Sequence, residues 1–214
     1  VAEKIDAKVK LAWIHTDYSN YLLDVNSELK MWSKYDYIAS ISAKCTESFL
    51  KIFPDLKDKI VEISNINAEQ LIRQQAKEND AEDMTTQEDE ICLCSIGRFA
   101  HAKNFDHIPS IAKKIKEKGI KFKWFIIGYG GEEQLIREKI KEENMEDIVI
   151  ILGKKDNPYP YIKKCDIYIQ PSRYEGKAVT VIEAQMLKKP VIITAFPSSV
   201  SQLEDGIDLS LIHI

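Results

Sequence analysis

Residues 167–184 read Ile167-Tyr-Ile-Gln-Pro171-Ser172-Arg-Tyr-Glu175-Gly176-Lys177-Ala178-Val179-Thr-Val-Ile-Glu183-Ala184. The opening four are a β-prone run that Pro171 and Ser172 end, Glu175-Gly176 supplies a tight turn, and a helix is expected from about Ala178. Strand, short loop and helix, in that order, form the repeating piece of a parallel α/β sheet.

The same alternation runs outward in both directions. Apolar runs predict strands at 9–15, 37–40, 60–63, 91–96, 123–127, 148–152, 167–170 and 191–194. Helices are expected at 43–53, 68–79, 105–118, 132–144, 179–188 and 200–205. The clearest apolar stripe is Ile108, Ile111, Ala112 and Ile115, spaced for one buried helix face. One stretch breaks the rhythm. Residues 78–90 carry seven carboxylates, no basic residue and only Met84 as a sizeable apolar side chain. Such a run repels itself and buries little, so a solvated hinge is expected there, dividing the chain near residue 88 into parts 1–87 and 88–208. Residues 209–214, Leu-Ser-Leu-Ile-His-Ile, look foreign and are expected to lie outside the fold. The chain also does not begin with Met, and the expectation is of a sequence trimmed at both ends.

Composition narrows the function. Across 214 residues, 30 Lys and Arg face 34 Asp and Glu for a net charge of −4. That balance lacks the concentrated basic surface a nucleic acid requires. The longest apolar runs are strand-sized, short of the roughly 20 residues that span a bilayer, and the charged first residues do not resemble a secretory signal. Cys45, Cys92, Cys94 and Cys165 show neither disulfide nor zinc spacing. A cytoplasmic location follows as the expectation, with the inner face of the membrane as one possible working place.

Three strand ends carry candidate chemistry. At 167–184, the amino end of the expected helix offers unpaired N–H groups and a positive dipole to an anion, and Gly176 would let backbone approach that anion closely. Glu175 and Glu183 lie eight residues apart, about 12 Å along a helix. Retaining glycosidase carboxyls stand roughly 5 Å apart, so this spacing suits two contacts along one elongated ligand, or two surface glutamates and nothing more. After the run 91–96 come Gly97 and Arg98, with Lys103 five residues on. Arg offers a planar donor fork to phosphate and Lys a point charge; ordinary solvated loop charges are the alternative. A third strand ends in Gly128-Tyr-Gly130-Gly131, which lacks the final glycine of a dinucleotide fingerprint.

Taken in order, Arg98 with Lys103, the Gly128-x-Gly130 turn, and Pro171-Ser-x-x-Glu175-Gly176 followed by Glu183 resemble the donor domain of glycosyltransferase family 4. These are retaining enzymes of the GT-B fold, built from two Rossmann-like α/β domains with parallel sheets. Glu175-x7-Glu183 is similar to the family's E-x7-E element, and the likeness covers about 91–208. Ahead of it, the stretch ending in His15 looks like the family's acceptor-domain strand. This chain departs from the common Glu-Gly-x-Gly pattern with Glu175-Gly176-Lys177-Ala178, which is similar to a subgroup that makes surface polysaccharides.

The resemblance implies a partial acceptor-side domain over 1–87 and a partial donor-binding domain over 88–208. It also implies roles. Gly97, Arg98, Lys103, Gly128, Ser172, Gly176, Lys177, Ala178, Val179 and Glu183 would bind a nucleotide-diphosphate sugar. Arg98, Lys103 and the Ala178 and Val179 amides would hold the diphosphate, and Glu183 the ribose hydroxyls. Glu175 and His15 would act beside the transferred sugar. Two cations and a helix end can stabilise a leaving diphosphate where its charge develops, so neither metal nor cofactor is expected. The implied partners are the donor and a glycan or lipid-linked acceptor.

The remaining residues point to no further chemistry. His101 and His107 read as incidental. Cys92 and Cys94 read as core, and Trp13, Trp32 and Trp124 as core or interface. Lys113, Lys114, Lys116 and Lys118 read as a solvated helix face, with attraction to anionic lipid as the other reading. Two alternatives keep the architecture: a nucleotide-sugar epimerase and a binding module without turnover. With strands missing, exposed sheet edges would favour aggregation.

Overall fold

A computed structural model of the chain describes residues 6–18, 24–63, 68–176, 178–196, 199 and 210–212. Its contacts form two units, one made of Val1–Ile66 with Tyr174–Lys177 and Pro197–Gln202, the other of Asn67–Arg173 with Ala178–Phe196 and Leu203–Ile214.

In the first unit, β1 (Leu11–Ile14), β2 (Tyr37–Ser40) and β3 (Ile60–Glu62) form a parallel sheet in that order. The helices α1 (Val25–Trp32) and α2 (Ala43–Ile52) connect them. Each helix starts at a side-chain cap: Asp24 accepts from the Ser27 N–H at 3.4 Å, and Ser42 from the Cys45 N–H at 3.3 Å. Ile14, Ile38, Cys45, Phe49 and Phe53 form the core, with Trp32 and Tyr18 edge-on to Phe49. Leu11 pairs in register with Tyr37, and both side chains are exposed, as is Trp13. Trp32 and Trp124 are core residues as expected.

The second unit is a parallel sheet in the order β6-β5-β4-β7-β8-β9. Its strands are β4 (Ile91–Ile96), β5 (Phe122–Ile127), β6 (Val149–Gly153), β7 (Ile167–Gln170), β8 (Val191–Thr194) and β9 (Ser210–Ile212). Its helices are α3 (Glu69–Gln75), α4 (Ile108–Glu117), α5 (Glu133–Glu142), α6 (Tyr159–Lys164) and α7 (Val179–Met186). Strand alternation gives the sheet two packed faces. Cys92, Cys94, Phe125 and Ile127 join α6 and α7 on one, and Leu93, Trp124 and Ile126 join α4 and α5 on the other. All four cysteines are buried thiols. Among the described residues no helix is long and apolar enough to cross a membrane.

Three findings differ from the expectations. First, the chain divides between Ile66 and Asn67, not near residue 88. The acidic run is no solvated hinge: Met84 and Ala81 are buried in the second unit's core. Asp83 meets Lys155 Nζ at 2.6 Å and accepts from the Tyr161 hydroxyl at 2.8 Å, and Lys164 Nζ donates to the Asp80 and Ala81 carbonyls. Exposed ion pairs contribute about 0–1 kcal/mol each, whereas burying a Met side chain contributes about 1.5–3 kcal/mol, so Met84 is the main anchor. Second, Ser210–Ile212 pair with β8 as the last strand. An open sheet edge accepts any short β-prone segment. Third, helices α1 and α6 were not foreseen, while the helix expected at 200–205 lies outside the described residues.

The strand order places a topological switch between β4 and β7. From β4 the chain proceeds outward through β5 to β6, and from β7 it proceeds the other way through β8. In open parallel sheets, ligands sit outside the carboxyl ends of the strands at such a point.

Candidate functional site

The loop leaving β4 is locked to the loop leaving β5 through backbone. Gly97 N–H donates to the Ile127 carbonyl at 3.0 Å, and Phe99 N–H to the Tyr129 carbonyl at 2.8 Å. A Cβ on Gly128 would stand 1.9 Å from the Gly97 carbonyl oxygen, and one on Gly130 2.3 Å from that of Phe99. These glycines therefore form a seam between loops, which is a sufficient reason for the Gly-x-Gly pattern. Gly97 itself lies under the Lys103 stem, whose Cδ and Cε would be 3.3 Å from an added Cβ. That contact brings Lys103 back over the carboxyl end of β4, while Arg98 is exposed. Two short 3-10 turns, joined by left-handed Asn104 at φ 59°, precede α4. The helix expected from 105 thus begins at Ile108.

The loop leaving β7 rests on a buried polar network. Gln170 is fully buried; its Oε1 accepts from the Tyr168 hydroxyl at 2.8 Å and from Thr180 Oγ1 at 3.3 Å. Its Nε2 donates to Ser172 Oγ at 2.8 Å, and Thr194 Oγ1 donates to the Ser172 carbonyl. Because Thr180 lies in the first turn of α7, the network ties the strand end to the helix start. Burial pushes the Tyr168 phenol well above its ordinary range, so it stays a donor. At Ala178, α7 starts without a side-chain cap among the described residues, and the amino end of a helix carries positive dipole.

Glu183 lies one turn further along α7. Its Oε1 accepts from the Tyr159 hydroxyl at 3.0 Å. Burial raises the Glu183 carboxyl above its ordinary value, with the Tyr159 hydrogen bond opposing. Burial and then the Glu183 charge push Tyr159 up to about 12.

The turn Tyr174–Lys177 belongs to the first unit. A Cβ on Gly176 would stand 2.3 Å from the His15 carbonyl oxygen. The Gly176 carbonyl accepts from Ser42 Oγ at 3.4 Å, with Cys45 Sγ at 3.7 Å. The close approach that demands glycine here is thus to the strand end at His15. His15 is exposed, its ring stacked on Trp13 with centroids 5.7 Å apart. Glu175 is half-buried, and Lys177 lies outside the described residues.

Of the anticipated residues, Gly97, Arg98, Lys103, Gly128, Ser172, Ala178, Val179 and Glu183 belong to the second unit, on loops leaving β4, β5 and β7 and on α7; His15, Glu175 and Gly176 belong to the first. Sequence reading missed Gln170, Tyr159, Arg173 and Asp106. Arg173 stood in view as a spacer inside Pro171-Ser-x-x-Glu175, and Asp106 as the end of the Lys103 loop. Nothing local pairs them.

Comparison with known proteins adds the lineage. A family described as "Glycosyl transferases group 1" matches residues 76–213. The putative glycosyltransferase EpsF of Bacillus subtilis (strain 168) is 30% identical over 106 residues, 50% of this chain and 28% of its own length. The amylovoran biosynthesis glycosyltransferase AmsD of Erwinia amylovora is 31% identical over 47% of this chain and 28% of its own length. The matched part of the chain therefore spans little more than a quarter of either relative. Among solved structures, a mutant of S. aureus TarM in complex with fondaparinux, alpha-GlcNAc-glycerol and UDP superposes with a TM-score of 0.75 at 22% identity, over 96% of this chain and 41% of that one. The fold is the GT-B type of α/β architecture.

Proposed function

The chain belongs to the group 1 glycosyl transferases, and from that premise we propose that it serves a retaining, metal-independent sugar transfer from a nucleotide-diphosphate sugar to a glycan or lipid-linked acceptor in polysaccharide synthesis. The observation that carries the reading is the switch point between β4 and β7, whose loops bear Arg98, Lys103, Ser172 and the start of α7. In this reading the two cations and the Ala178 and Val179 amides hold the diphosphate. Charge developing on that leaving group meets donors already aimed at it. Glu183 accepts from the ribose hydroxyls. His15 and Glu175 contact the transferred sugar. Acceptor attack and departure of the diphosphate share one face of the sugar, which retains configuration, and the departing phosphate takes the acceptor's proton. The UDP in the TarM complex and the biosynthetic role in the AmsD name, amylovoran biosynthesis, support the donor class and the setting.

The test is charge reversal of Lys103. Titration calorimetry of Lys103→Glu against a panel of nucleoside diphosphates should show binding lost, and unchanged affinity would refute the diphosphate seat. Product analysis of the wild type with donor and acceptor should show a new glycosidic bond of retained configuration. Free epimer would point to the epimerase reading, and binding without product to a module that does not turn over.

A further inference from the structure

Arg173 is the one cation inside the Pro171-Ser172-Arg173 turn, and it bonds to the loop after β4. Its backbone N–H donates to the Ala102 carbonyl at 2.8 Å. Its Nη1 donates to the His101 carbonyl at 2.6 Å and to Asp106 Oδ1 at 3.0 Å, and its Nη2 to Asp106 Oδ2 at 2.8 Å. The two side chains are only 23% and 15% exposed. Burial alone would raise the Asp106 carboxyl, but the Arg173 fork outweighs it and holds the group below its ordinary value.

A parallel two-pronged Arg–carboxylate pair fixes direction as well as distance. With both terminal nitrogens engaged and the charge neutralised by Asp106, the guanidinium has little left to offer a phosphate. What it does instead is join the two loops that flank the switch point. We propose that Arg173 and Asp106 are positioning residues: their clamp holds the loop of Arg98 and Lys103 against the loop of Ser172, so that the anion seat stands assembled before the donor arrives. The proposal rests on the diphosphate reading above. Its physical content is preorganisation, because a loop ordered in advance need not be ordered at the expense of binding.

The experiment titrates the full chain with nucleoside diphosphates and, separately, with the matching nucleosides. The variants are Arg173→Ala, Asp106→Ala, the double variant, Arg173→Lys and the reference Lys103→Glu. Each single alanine variant should weaken nucleoside diphosphate binding about tenfold, or about 1.4 kcal/mol. The double variant should be no worse than either single one, and nucleoside affinity should not change. Lys at 173 should recover only part, since a point charge cannot reproduce the fork. If Asp106→Ala is neutral or tighter while Arg173→Ala weakens binding, Arg173 is a direct phosphate ligand and the proposal fails. If both are neutral while Lys103→Glu abolishes binding, the clamp is merely structural and the proposal alone fails. If Lys103→Glu is neutral as well, the diphosphate seat itself is wrong. A parallel loss for nucleosides and diphosphates would signal general loosening and overturn the proposal too. Should an alanine variant not fold, Arg173→Lys and Asp106→Asn carry the same cycle.

Discussion

The Tyr159 hydroxyl donates to Glu183 Oε1 at 3.0 Å, joining the first turn of α6 to the middle of α7. The carboxylate that the reading assigns to the ribose is therefore already oriented by a neutral donor. Two consequences can be measured.

The first concerns pH. Burial raises the Glu183 pKa above the ordinary 4.5, so the folded chain binds that proton more tightly than the unfolded one. Stability should then fall as pH rises from about 4.5 through the raised folded value and level off above it. Removing the opposing hydrogen bond with Tyr159→Phe should raise the pKa further and widen that window, while Glu183→Gln should abolish this part of the slope. Thermal unfolding between pH 4 and 7 checks it. The effect is small because water still reaches part of the carboxyl, and identical profiles for all three proteins would sink it.

The second concerns the ligand. If Glu183 accepts from ribose hydroxyls, the wild type should prefer ribo- over deoxyribonucleoside diphosphates. Hydrogen bonds to a charged group contribute about 1.5–3 kcal/mol each. Glu183→Ala should thus cost the ribose form roughly 10- to 100-fold and the deoxy form much less. Competition titration with paired nucleotides measures the ratio. Equal losses would remove Glu183 from the ribose.

The glycines make a third, purely steric forecast. Gly128→Ala and Gly176→Ala each drive a Cβ into a carbonyl oxygen, of Gly97 and His15 respectively, whereas at Gly131 nothing stands within 4 Å. Overpacking a tight site costs about 1–3 kcal/mol. Denaturant midpoints should drop clearly for the first two variants and scarcely for Gly131→Ala. A neutral Gly176→Ala would mean that the turn does not lie against His15.

Much of the second sheet was legible because its strands are buried on both faces. Runs 91–96, 167–170 and 191–194 carry no competing helical period, and each matches a strand end to end. The positions of Arg98 and Lys103 followed from the same logic, since a loop after a parallel strand must leave at its carboxyl end. Helix α1 left a readable trace, the Asp24 cap before Val25, Leu29 and Trp32, whereas α6 hid behind Pro158 and Pro160. The acidic run misled for a different reason. Its cationic partners, Lys155 on the Asp83 carboxylate, Lys164 on the Asp80 carbonyl and Lys121 on the Asp89 carboxylate, lie 72, 84 and 32 residues away in sequence, so a local tally sees only repulsion. Arg173 with Asp106 and Tyr159 with Glu183 are long-range pairs of the same kind. Gly176 was singled out for close approach to an anion, whereas the close neighbour in the structure is the carbonyl of His15, from the far end of the chain.

Because Met84 belongs to the same buried cluster as Cys94 and Ile162, the border of the second unit falls ahead of α3. Severed at residue 88, that unit would lose Ala81 and Met84 from its core cluster. Taken from residue 68 it would keep both α3 and these two residues, and that longer piece is the one a graft or an isolated-domain experiment should carry.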